Sequence, residues 1–124
     1  MDTKCVLIVD DEPDIREVAQ VSLEMMGGWQ VLTSDSGRDG LAKAKSAQPN
    51  AILLDVMLPD MDGPTTFQNL QADPLTAHIP VIFLTAKIQP VDRARFTNLG
   101  VTAVIAKPFD PLTLAKQVAE VLGW

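Results

Sequence analysis

Four short, unbroken apolar runs govern what this chain can fold into: Cys5-Val6-Leu7-Ile8-Val9, Ala51-Ile52-Leu53-Leu54, Val81-Ile82-Phe83-Leu84 and Ala103-Val104-Ile105-Ala106. An extended backbone turns successive side chains to opposite faces. A run with no polar alternation therefore fits a strand covered on both sides. Trp29-Gln30-Val31-Leu32-Thr33 is more mixed and fits an edge strand. Between these runs the apolar residues recur at helical spacing. Ile15, Val18, Ala19, Ser22, Leu23 and Met26 follow Pro13 and stop at Gly27-Gly28. Ser36 caps a second helix that reaches Ala47, before Pro49. Pro64 to Ala72 and Pro90 to Leu99 read as a third and a fourth, each with proline in its first turn. Asp110 caps a fifth, with Pro111 at its first position and Leu114, Val118 and Val121 on one face.

Strand then helix, five times over, means parallel strands joined by right-handed helical crossovers, with helices on both faces. The expected fold is a doubly wound α/β sheet. No repeat, low-complexity tract or linker interrupts the order, so residues 1–124 read as a single domain. A chain of 124 residues, 47% hydrophobic, buries enough surface to fold without disulfide or metal. Its one cysteine, Cys5, excludes an intrachain disulfide and a cysteine-based zinc site. No apolar run is long enough to cross a bilayer, and acids stand where a signal peptide needs an apolar core. A net charge of −6 disfavours nonspecific binding to nucleic acid or anionic lipid. The expectation is a soluble, acidic, cytoplasmic domain that binds neither nucleic acid nor membrane.

An open parallel sheet places its site at the carboxyl ends of its strands. The first run leads into Asp10-Asp11-Glu12, the third strand ends on Asp55, the fourth on Thr85, and the fifth leads into Lys107-Pro108. Asp10, Asp11 and Asp55 against Lys107 leave a charge of −2. Carboxylates this close resist ionisation unless a cation joins them. Oxygen ligands in an incomplete protein cage suit Mg²⁺, which keeps waters and also binds phosphate oxygens. Mg²⁺, the Lys107 ammonium and the Thr85 hydroxyl are groups able to stabilise a phosphoryl group in transfer. Asp55 could then act as the nucleophile and form an acyl phosphate.

Asp10-Asp11, Asp55, Thr85-Ala86 and Lys107-Pro108-Phe109, with the stretch Asp55 to Gly63, resemble the receiver domain of two-component response regulators, which includes the single-domain chemotaxis regulator. The likeness runs from Lys4 to about Leu122. It implies a flavodoxin-like (βα)5 receiver fold with strand order 2-1-3-4-5. It implies that Asp55 accepts a phosphoryl group from the phosphohistidine of a histidine kinase or a histidine phosphotransfer protein. Asp10, Asp11 and Asp55 would hold Mg²⁺ with the Met57 carbonyl, while Thr85 and Lys107 would bind phosphoryl oxygens. The Lys107-Pro108 peptide would be cis. The domain would dephosphorylate itself and bind an unnamed downstream target according to its phosphorylation.

One position departs from the family. An aromatic residue usually stands three before the lysine and turns inward on activation; here it is Val104, which has no ring to turn. By the same resemblance, Met57 and Lys87, two residues after Asp55 and Thr85, would flank the path of attacking water. Taken alone, Asp10-Asp11-Glu12 could be helix-capping acids, Asp55 a turn residue, Lys107 a solvated lysine and Thr85 a strand-end residue. Asp60-Met61-Asp62-Gly63 reads as a turn, since Asn69 stands where a calcium loop needs an acid. His78 reads as an exposed loop residue, Cys5 as a small buried residue, Met25-Met26 as helix packing and Trp124 as a packing anchor or tail. A degenerate receiver serving as a constitutive interaction module is the alternative function. A phosphatase acting on an external substrate is a third, and it lacks the second acid two residues after the nucleophile. The residues after Asp110 suffice for the last helix alone, so the expectation is either a stand-alone receiver or a receiver that is part of a longer protein, and in both cases one that turns over no external substrate.

Overall fold

A computed structural model describes residues 3–86 and 89–124. Lys87, expected beside the water path, lies outside the described residues. Among the described residues five strands and five helices alternate: β1 (Cys5–Val9), α1 (Pro13–Gly27), β2 (Gln30–Ser34), α2 (Gly37–Ala47), β3 (Ala51–Asp55), α3 (Gly63–Ala72), β4 (Val81–Thr85), α4 (Pro90–Leu99), β5 (Ala103–Ala106) and α5 (Leu114–Leu122). All pairings are parallel and the order across the sheet is β2-β1-β3-β4-β5. This is the doubly wound receiver architecture that the alternation and the motif resemblance imply.

The unbroken runs are explained by two cores. Leu7, Val9, Ile52, Leu54, Val81 and Phe83 face one side, where Phe67 of α3 and Phe96 of α4 cover them. Phe83 meets both rings edge-on, with centroids 6.1 Å from Phe67 and 5.1 Å from Phe96. Val6, Ile8, Leu53, Ile82, Leu84 and Ile105 face the other side, against Ala19 and Leu23 of α1 and Leu114 and Val118 of α5. Neighbours in one run thus enter opposite cores, and a polar residue at any of these positions would be stranded on one face. Among the described residues no helix is long and apolar enough to cross a membrane.

Helix ends follow the sequence in part. The Ser36 hydroxyl accepts the Asp39 N–H at 3.1 Å, as its N-cap position requires. The partner that the spacing does not show is Asp60. Its carboxylate reaches from the β3–α3 loop and accepts the N–H groups of Gly37 at 2.9 Å and Arg38 at 3.0 Å. Three donors at the start of α2 are thereby satisfied. The bond from Gly37, then that from Arg38, holds the Asp60 carboxyl below the usual carboxylate range. Asp60→Ala is expected to cost about 1 kcal/mol, typical of a lost cap on an exposed helix end; urea unfolding followed by circular dichroism measures it, and an unchanged midpoint would refute the cap.

Asp62 caps α3 by accepting the Thr65 N–H at 2.8 Å, so the segment before Gly63 is a turn as read. Gly63 is needed for a close approach: a Cβ there would stand 2.7 Å from the Val56 Cα and 2.9 Å from the Asp55 carbonyl oxygen. Both neighbours are backbone and cannot step aside.

Four local readings are corrected. The regular part of α5 begins at Leu114, not just after Asp110. Residues 111–113 form a turn, in which the Asp110 carboxylate accepts the Leu112 N–H at 2.9 Å and its carbonyl accepts Thr113 and Leu114 at 3.0 Å. β2 is shifted by one residue, leaving Trp29 outside it to meet Trp124 edge-on at 5.0 Å, with the Lys4 ammonium over the Trp124 ring at 5.3 Å. Trp124 is thus a packing anchor. Met25 and Met26 do not pack: they are 78% and 56% exposed, because the stripe of α1 turned to the sheet is Ala19, Ser22 and Leu23. Cys5 is half-buried, and burial pushes its thiol pKa up, which keeps it unreactive. His78 is exposed, as expected.

Candidate functional site

The ends of β1, β3, β4 and β5 each deliver one group to the same rim. β1 stops at Val9, and the Asp10 N–H still donates to the Ser34 carbonyl of β2 at 3.0 Å. The adjoining pair of central strands ends on Asp55 and Thr85, both buried. Beyond β5 the Lys107 N–H donates to the Thr85 carbonyl at 2.9 Å, and the Lys107-Pro108 peptide is cis. The sheet ladder therefore sets each side chain's height above the strands.

The side chains converge. The Lys107 Nζ lies 2.7 Å from Asp10 Oδ2, 3.2 Å from Asp55 Oδ2 and 3.4 Å from Glu12 Oε1. Asp10, Asp11, Glu12 and Asp55 offer carboxylate oxygens that all lie within 4.8 Å of one another. Asp10 and Asp55 are buried, Asp11 and Glu12 exposed, so the cluster opens to solvent on one side. Asp10 Oδ1 accepts the Glu12 N–H at 2.9 Å. Asp55 Oδ1 accepts the Met57 N–H at 3.1 Å. Asp10 Oδ2 is buried, and the Lys107 ammonium at 2.7 Å is its partner. Glu12, Asp55, Met57, Thr85, Ala86 and Lys107 line a cleft of about 290 Å³. The Met57 side chain stands at its mouth, 65% exposed.

Electrostatics follow from burial. Loss of solvation raises the Asp55 pKa to about 6; the Met57 N–H opposes this, the Asp10 charge adds to it, and Lys107 opposes it. Burial acts to lower the Lys107 pKa, but the Asp10 carboxylate, with Asp55, outweighs it, and the net move is upward. The ammonium therefore stays charged at neutral pH, while Asp55 is an acid poised close to it.

Of the residues named from the sequence, Asp10, Asp11, Asp55 and Lys107 lie in one cluster on this rim, and Met57 and Thr85 lie on the walls of the cleft. Glu12 is an addition: the sequence shows it next to the acid pair, but only the folded first turn of α1 turns it to Lys107. Arg16 is another, its Nη1 donating to the Asp10 carbonyl at 2.7 Å. Val104 is half-buried on the face of the three phenylalanines, where an aromatic residue was expected from the family pattern.

Known proteins are similar to this chain in sequence and in fold. The chain is 39% identical to the DNA-binding dual master transcriptional regulator RpaA of Synechocystis sp., over 94% of this chain and 48% of that protein. It spans about half the length of the curated relatives it matches. Vibrio cholerae chemotaxis protein CheY4 superposes with a TM-score of 0.89 at 32% identity, covering 97% of this chain and 99% of that one. The receiver domain of the Pseudomonas aeruginosa sensor histidine kinase PA1611, whose structure has a magnesium ion coordinated in its active site cleft, superposes with a TM-score of 0.86 at 27% identity, over 99% of this chain and 100% of that one. The model of the response regulator receiver domain matches residues 6–119, and the chain belongs to that family of two-component signalling domains.

Proposed function

We propose that this domain is phosphorylated on Asp55 by a histidine kinase or a histidine phosphotransfer protein, in a Mg²⁺-dependent transfer, and that the product controls binding to a protein partner. The observation that carries the reading is the meeting of four carboxylates and one ammonium over the ends of β1, β3 and β5. The donor set fits a hard divalent cation: the ligands are all oxygens, and the cluster is open to solvent on the side of Asp11 and Glu12. Asp10, Asp11 and Asp55 would hold the ion with the Met57 carbonyl. When bound, Mg²⁺ neutralises charge developing on the phosphoryl oxygens.

The remaining chemistry belongs to the chain. The Met57 N–H fixes Asp55 Oδ1, so Oδ2 is the oxygen left to attack phosphorus in line with the departing imidazole nitrogen. Lys107, already 3.2 Å from Oδ2, follows the new anionic group, and Thr85 on the cleft wall donates its hydroxyl to it. Water attacking from the cleft mouth reverses the modification. Met57 occupies that mouth, so Met57→Asn is expected to speed phosphoryl loss several-fold in Mg²⁺; an unchanged decay rate of the labelled protein would remove Met57 from this role. A net charge of −6 supports a protein rather than a nucleic-acid partner for this domain.

The test uses acetyl phosphate and Mg²⁺ with intact-mass spectrometry. Wild type gains one phosphoryl group and Asp55→Asn gains none. Wild type that remains unmodified refutes the proposal and favours a constitutive interaction module, to which Val104 would be suited. Steady hydrolysis of a phosphomonoester would instead favour a phosphatase.

A further inference from the structure

The Asp10 carbonyl sits where the ladder between β1 and β2 runs out. Its own N–H still reaches Ser34, but the next rung's donor is not a backbone group: the Arg16 guanidinium supplies it, at 2.7 Å. Asp10 is thus held at three points, by Ser34 through its N–H, by Arg16 through its carbonyl and by the Glu12 N–H through Oδ1. The carbonyl belongs to the peptide that joins Asp10 to Asp11. Its orientation decides whether both carboxylates turn toward Asp55 together. Arg16 is itself anchored one turn into α1, where its N–H donates to the Glu12 carbonyl at 3.1 Å. The half-buried guanidinium therefore ties the helix back to the loop that bears the acids.

We propose that Arg16 is a positioning residue for the cation site: its guanidinium locks the Asp10–Asp11 peptide so that both carboxylates face one ion. This rests on the reading of the acid cluster as a Mg²⁺ site. Charge alone makes the opposite prediction. A cation beside the acids repels an incoming metal, so neutralising Arg16 would tighten metal binding if electrostatics were its whole contribution. Loss of the clamp weakens binding, as loss of an outer partner of metal ligands generally does. The sign of the change separates the two.

The experiment titrates Mn²⁺ into the full chain and follows the free ion by electron paramagnetic resonance. Arg16→Met is expected to weaken Mn²⁺ binding about tenfold, the low end for loss of an outer partner. Its thermal midpoint in EDTA should stay close to that of wild type. Its phosphorylation by acetyl phosphate should recover at high Mg²⁺, a change in the metal requirement rather than in the maximal rate. Arg16→Gln, neutral and helix-compatible, carries the same prediction should Arg16→Met not fold. Unchanged or tighter Mn²⁺ binding in the folded variant overturns the assignment while leaving the Mg²⁺ site intact. Wild type that binds no Mn²⁺ overturns the site and the assignment together.

Discussion

Lys107→Met is expected to lose about 3–5 kcal/mol of stability in metal-free solution at pH 8, as breaking a buried ion pair from one side does. The Lys107 side chain is only 12% exposed, and its ammonium is the counter-charge of two nearly inaccessible acids, Asp10 at 2.7 Å and Asp55 at 3.2 Å. Methionine fills similar space but leaves both carboxylates uncompensated. For a domain of this size the thermal midpoint should fall by roughly 12–19 °C. The loss should shrink as the pH is lowered, because Asp55, whose raised pKa Lys107 holds down, then takes up a proton in the folded variant more readily than in the unfolded chain. Urea unfolding in EDTA at pH 5 and pH 8 measures both effects. A variant as stable as wild type at pH 8 would show that the lysine is not the counter-charge.

Asp55→Asn should move stability the other way. The folded pKa of Asp55 is raised to about 6, above the roughly 3.9 of an unfolded aspartate. Between those values the folded protein binds a proton that the unfolded chain does not, so stability falls as pH rises through this window. Above pH 6 the ionised, buried carboxylate keeps wild type about 2–3 kcal/mol below its acid-side value, other groups aside. Asparagine cannot ionise and escapes that cost. The variant should therefore be about 2 kcal/mol more stable than wild type at pH 8 without metal, with the difference vanishing below pH 4. Added Mg²⁺ should narrow the gap, since wild type gains the metal's binding energy and the variant lacks one ligand charge. A gap that does not change with pH would mean that Asp55 is not the group that titrates. Lys107, whose raised pKa lies well above this range, contributes no slope here.

Much of this was open to inspection along the chain. The apolar runs that become β1, β3, β4 and β5 are legible because burial on both faces leaves no room for polar alternation. Asp10, Asp55, Thr85 and Lys107 are legible because each directly ends or follows such a run, and topology places all strand ends on one rim. Ser36 and the prolines mark helix starts through bonds made within a few residues. Asp60, Arg16 and Glu12 were not legible as partners. Asp60 caps a helix that begins 23 residues earlier, and Glu12 meets a lysine 95 residues away, so no local spacing encodes either pairing. Met25 and Met26 show the converse error. Helical periodicity records which residues share a face, but not whether another element covers it.

By itself, then, the order of residues determined a parallel α/β sheet, the end of it where the acids and the lysine gather, and the residue types found there. Those follow from burial and strand periodicity, which act over a few neighbours. Only the tertiary structure decided that Lys107 rests against Asp10 as well as Asp55, that burial lifts one acid to near neutrality, and that Arg16 closes the broken ladder. Distance and desolvation between remote segments exist only once the strands are side by side.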